Sequence, residues 1–196
     1  VKQLKKNMVT EIAATLAFSA IQNNDKIGVI FFSDRIEKFI PPKKGRKHIL
    51  YIIRELLDFK PESTRTNVQC AIEYLTNVLK KRCTAFMLSD FIDERDFQNA
   101  LTIANRKHDV VALQVYDRRL EELPDVGLMK VKDAETGHEQ WIDTSSKALR
   151  NAHHEWWKAR QQKLHDIFTH SNVDSVSVRT DQDYVKALLN LFAKRN

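Results

Sequence analysis

The order of apolar segments predicts an α/β domain, a three-layer sandwich in which helices cover both faces of a mostly parallel sheet, with a β-hairpin appended. Three observations carry this. Residues 26–33, 84–90 and 109–117 are near-continuous apolar runs of strand length, the pattern of strands covered on both faces. Between them lie longer segments whose apolar residues recur at helical spacing. Strands alternating with helices need crossover connections, and crossovers make neighbouring strands parallel.

Taken in order, residues 4–22 place Leu4, Met8, Ile12, Thr15, Leu16, Ser19 and Ala20 on one side of a helix that Asn23-Asn24-Asp25 ends. The run 26–33 reads as a buried parallel strand. Residues 36–40 alternate and then meet Pro41-Pro42, which suits an edge strand of a hairpin. Ile49, Leu50, Ile52, Ile53, Leu56 and Leu57 mark a helix over 45–59, stopped by Pro61. A loop over 61–67 leads into a helix over 68–81. After the strand at 84–90, Phe97, Leu101 and Ala104 point inward from a helix over 94–107. Residues 127–144 contain two alternating segments around Asp133-Ala134-Glu135-Thr136-Gly137, a hairpin signature. A helix over 145–169, a strand over 174–179 and a helix over 181–194, capped by Asp181, finish the chain. In the long helix Trp156 is expected in the core and Trp157 near its edge.

A chain of 196 residues, 42% hydrophobic and 30% charged, fits one globular domain. At this length roughly 70% of the unfolded chain's surface is buried on folding. No apolar run approaches the roughly 20 residues of a membrane span. Cys70 and Cys83 stand far apart without metal-ligand spacing, so the expected location is a reducing cytoplasm. Val1 is not an initiator and no leader precedes the helix, so residues 1–196 read as a fragment of a longer polypeptide. The net charge of +6 is spread over Lys2, Lys5, Lys6, the run 43–48, Lys80 to Arg82 and Lys194-Arg195, without interleaved aromatics. Solvated helix faces explain it better than a nucleic-acid site.

In an open α/β sheet, ligands bind beyond the carboxyl ends of the parallel strands. Three runs end there in Ser33-Asp34, Ser89-Asp90 and Tyr116-Asp117, gathering hard oxygen donors suited to magnesium, manganese or calcium. Asp34 and Asp117 read first as helix caps.

The segments 26–33, Arg65-Thr66-Asn67 and 86–91 resemble a von Willebrand factor A-type domain. With Pro41-Pro42-Lys43-Lys44-Gly45, Arg106-Lys107-His108-Asp109-Val110, Asp133 to Gly137 and Asp143-Thr144, the whole chain is similar to the bacterial family called domain of unknown function fifty-eight, often encoded beside MoxR-type AAA+ ATPases. The resemblance implies a metal-ion-dependent adhesion site with Thr66 and Asp90 as two ligands, and Ser33, Asp34, Arg65, Asn67 and Ser89 as partner-binding neighbours. Its Asp-x-Ser-x-Ser loop is absent here, and that loop and the first strand are expected upstream of Val1. Asn67 stands where the family commonly has an acid. Two donors do not hold Mg²⁺, so this chain is expected to bind no cofactor, while the full-length protein would take Mg²⁺ or Mn²⁺. The implied role is an adaptor for a protein partner, a MoxR-type ATPase or its substrate.

Enzyme chemistry is disfavoured: Gly28, Gly45, Gly127 and Gly137 form no phosphate-cradling loop. A metal-dependent phosphoesterase using the aspartates and a basic nucleic-acid-binding domain are the alternatives. His153-His154 lacks the i, i+4 spacing of a zinc helix.

Overall fold

The computed structural model describes residues 2–133 and 137–195. The chain runs α1 (Lys2–Gln22), β1 (Ile27–Phe32), β2 (Ile36–Lys43), α2 (Arg46–Asp58), α3 (Val68–Val78), β3 (Thr84–Ser89), α4 (Gln98–Lys107), β4 (Asp109–Tyr116), α5 (Arg118–Glu121), β5 (Leu128–Lys132), β6 (Glu139–Asp143), α6 (Lys147–His170), β7 (Asp174–Arg179) and α7 (Tyr184–Arg195).

The fold is mixed α/β, built on a parallel sheet of order β3-β4-β7. β4 is buried from Val110 to Val115, as a near-continuous apolar run requires when both faces are covered. Its residues alternate between two cores. Val110 and Ala112 join Val68, Ile72, Leu101, Leu164, Ile167 and Phe168 from α3, α4 and α6. Val111, Leu113 and Val115 join Met8 and Ile12 of α1 and Leu188 and Leu191 of α7 on the other face. Helices therefore lie on both sides of this sheet.

The expectation of one mostly parallel sheet is corrected by β1. It pairs antiparallel with β2 in a separate two-stranded ribbon, and among the described residues no strand bonds to its other edge. The turn at Ser33 to Arg35, where Ser33 N–H donates to Arg35 O at 2.9 Å, is too short for a crossover and folds β2 back on β1. β3 likewise has β4 as its one strand partner among the described residues. With one lateral neighbour each, β1 and β3 are mostly half-buried rather than buried, Phe31 being the exception in β1. The ribbon packs on α2 through Phe31, Ile40 and Ile52.

Other differences are local. The helix expected from 94 begins at Gln98, because Asp96 accepts its N–H (2.9 Å) and the preceding residues form a loop. The last helix begins at Tyr184 and takes its side-chain acceptor from Asp183, which binds Val185 N–H at 2.9 Å; Asp181 pairs with Arg179 instead. The two tryptophans exchange roles. Trp157 is buried against Tyr116, with ring centroids 5.1 Å apart, whereas Trp156 is 47% exposed. A step of one residue turns a helix by about 100°, and Trp157 holds the phase of Leu164 and Phe168. β5 and β6 form an antiparallel hairpin. Ala134, Glu135 and Thr136 of its expected turn, and the side chain of Leu4, lie outside the described residues. Among the described residues no helix is long and apolar enough to cross a membrane.

Candidate functional site

The loops after β1, before α3 and after β3 are laced together by hydrogen bonds. Ser33 O, at the end of β1, accepts from Asn67 N–H at 2.9 Å. Asn67 is also the N-cap of α3, its side chain accepting from Cys70 N–H at 3.0 Å, so a capping residue fixes the relative position of two loops. From the third loop, Asp93 reaches across to accept from Val68 N–H (2.9 Å), and Arg95 donates to Thr66 O (2.8 Å). The Asp93 side chain is 2% exposed, and it satisfies a helix N–H that Asn67 leaves free.

Asp90 sits in the loop that follows β3. Its Oδ1 accepts from Ile92 N–H at 3.1 Å, and its Oδ2 takes the Lys5 ammonium at 2.5 Å. Its main-chain oxygen accepts from Gln114, a buried side chain on β4 that in turn accepts from Ser177 Oγ at 2.8 Å. Phe91 then takes a left-handed backbone, φ +53°, which for a non-glycine residue costs of order 1–3 kcal/mol. Three contacts hold it there. Ser89 Oγ accepts from its N–H (3.0 Å), Arg160 donates to its carbonyl (3.0 Å), and its ring, 2% exposed, packs edge-on to Phe168.

Around β1, the buried Ser33 hydroxyl donates to Glu37 Oε1 at 2.6 Å, and the same oxygen accepts from Glu62 and Ser63 N–H. The Ser33 bond is the chief reason the Glu37 carboxyl ionises below its ordinary range. Asp34 is likewise lowered, chiefly by the Ser63 side chain, and so ties the same loop rather than capping a helix. Asp117 does cap, accepting from Arg119 N–H at 2.8 Å at the start of α5. Arg65 is exposed and makes no ion pair among the described residues.

Thr66 and Asp90 thus belong to interlocked loops, Thr66 through its main chain and Asp90 through a carboxylate already paired with an ammonium. Among the described residues no three of His, Cys, Asp and Glu gather as a metal group. Two oxygens, one of them committed to Lys5, do not fit the roughly octahedral demand of Mg²⁺. His153 and His154 turn to the carbonyls of Leu120 and Glu121. Sequence reasoning missed Lys5, Glu37, Asp93, Arg95 and Arg160. Each acts over 25 or more positions or across a strand turn, and no spacing rule announces such a pairing.

Comparison with known proteins adds relatives and a fold. Uncharacterised proteins of Mycobacterium tuberculosis and Mycobacterium bovis are each 26% identical over 195 residues, 97% of this chain and 61% of theirs. The chain therefore spans about three fifths of the length of these curated relatives. An uncharacterised protein of Mycobacterium avium is 27% identical over 160 residues, 80% of this chain and 93% of that protein. Two crystal structures share the fold at 16% identity. The conserved hypothetical protein BatB from Bacteroides thetaiotaomicron has a TM-score of 0.58, covering 94% of this chain and 87% of that one. An aerotolerance-related membrane protein from Bacteroides fragilis has a TM-score of 0.57, covering 94% and 88%. Residues 1–163 match the family described as Protein of unknown function DUF58, and the chain belongs to that family.

Proposed function

We propose that this chain is a binding module of the von Willebrand factor A type, an adaptor and not an enzyme, which works in the cytoplasm with a MoxR-type AAA+ ATPase or one of its substrates. The observation that carries the reading is the lacing of the three loops through Ser33, Asn67, Asp93 and Arg95. Such an edge is rigid before a partner arrives, which lowers the ordering cost of association. Arg65 is the cation it offers to an acidic side chain of the partner, and Ser33, Asp34, Asn67 and Ser89 supply the polar surroundings. Thr66 and Asp90 become metal ligands only with oxygen donors added to those present in this sequence.

The test is a binding titration of the purified chain against a MoxR-type ATPase of the same source. Saturable binding is expected, and Arg65→Glu should weaken it about tenfold or more by setting like charges together. Asp90→Asn, which removes the Lys5 pair that holds the loop after β3, should also weaken it; Arg65→Glu should leave the melting temperature little changed, while Asp90→Asn should lower it slightly. Absence of saturable binding, or binding indifferent to both substitutions, would refute the reading. In the same experiment Mn²⁺ added to the chain alone should give no heat of binding.

A further inference from the structure

The run 43–48 lies at the end of the β1–β2 ribbon opposite Ser33. Lys43 is in register with Ile27, so Lys26 and Lys44 emerge side by side where the two strands meet solvent. Gly45 then takes φ +103°, a backbone that favours glycine, and starts α2 without a side-chain cap or an acid in the first turn. Arg46 and Lys47 follow. Lys43, Lys44, Arg46 and Lys47 are all exposed, as is Lys26, and none of the five makes an ion pair among the described residues. Asp25 is the acid next to them in the chain.

Apolar side chains stand at the same end. α1 and α2 run antiparallel, since Lys6 Nζ donates to the carbonyls of Leu57 and Phe59 at one end and His48 contacts Ile27 O, just after α1, at the other. Phe18, late in α1, and Leu50, one turn into α2, are 47% and 49% exposed. Five uncompensated cations attract any polyanion. A nucleic-acid duplex, however, gives Phe18 and Leu50 nothing apolar to enter, whereas the headgroup and acyl boundary of a bilayer accepts both kinds of group.

We propose that this end of the molecule docks on an anionic lipid surface, with Lys26, Lys43, Lys44, Arg46 and Lys47 on lipid phosphates and Leu50 and Phe18 reaching the acyl boundary. β1 spans about 20 Å at 3.3 Å per residue, so the face lies that far from Ser33 and leaves the laced loops open to a partner.

The test is co-sedimentation of the chain with phosphatidylcholine vesicles made with and without phosphatidylglycerol. Binding is expected to the anionic vesicles alone and should fade as salt is raised. Replacing Lys43, Lys44, Arg46 and Lys47 with Gln should lower partitioning at least about a hundredfold with unchanged circular dichroism. Leu50→Ser should weaken binding by a smaller factor that salt does not alter. No partitioning at low salt, or equal partitioning by the four-fold variant, would overturn the proposal. So would displacement of the bound chain from vesicles by duplex DNA together with indifference to Leu50→Ser, which would assign the face to nucleic acid.

Discussion

His108 is fully buried, with Nδ1 3.5 Å from Cys83 Sγ and, among the described residues, no hydrogen-bond partner for Nε2. Burial, aided by the neighbouring Lys107 charge, pushes its ionisation below the ordinary histidine range. The unfolded chain therefore binds this proton at a higher pH than the folded one. Stability from the neutral ring is complete above the ordinary histidine pKa of about 6.5 and is lost as the pH falls below it. Melting temperature should accordingly decline from pH 7.5 to 5.5, and His108→Phe should flatten that decline; identical slopes would show that other groups carry it. Single residues were the least legible scale in the sequence. Thr66, Ser89 and Asp90 stand out because loops at strand ends collect donors, but the partners that fix them do not. Nothing near Asp90 in the chain points to Lys5, 85 positions earlier.

At the scale of elements, periodicity identified strands and long helices and failed where side chains outside the pattern decide. Asp96 delays α4 and Asp183 delays α7, each by accepting a main-chain N–H that a sequence pattern assigns to the helix. The β1–β2 ribbon shows a further limit. An apolar run such as 27–32 says that a strand forms, but the length of the following turn decides which neighbour it takes. Within the ribbon, Gly28 sits at a register irregularity, and a Cβ there would come within 2.7 Å of Ile40 O and 2.9 Å of Pro42 N. Gly28→Ala should therefore cost about 1–3 kcal/mol as the strands part, measured by urea unfolding. A midpoint equal to that of the parent would mean that the ribbon opens freely.

For the whole molecule, β4 is the element on which both cores depend, one on each face. Leu113 is 1% exposed and packs with residues of α1 and α7. Leu113→Ala should cost about 2–5 kcal/mol, since collapse around the cavity is limited from both sides. Leu189→Ala, at a position 64% exposed, should stay within about 0.5 kcal/mol, and equal losses would deny the layered core. This layering was legible in advance, because a strand covered on two faces writes an unbroken apolar run and its helices write complementary stripes.

The bond between Lys5 and Asp90 bears on the first helix as much as on the loop. The Lys5 and Asp90 side chains are 35% and 16% exposed, so salt screens this pair less than one on the open surface. Through this pair Asp90 ties α1 to the loop after β3, across 85 positions of the chain. Whatever draws the Asp90 carboxylate away therefore leaves the Lys5 ammonium without its counter-charge, and α1 and the loop after β3 lose the tie between them.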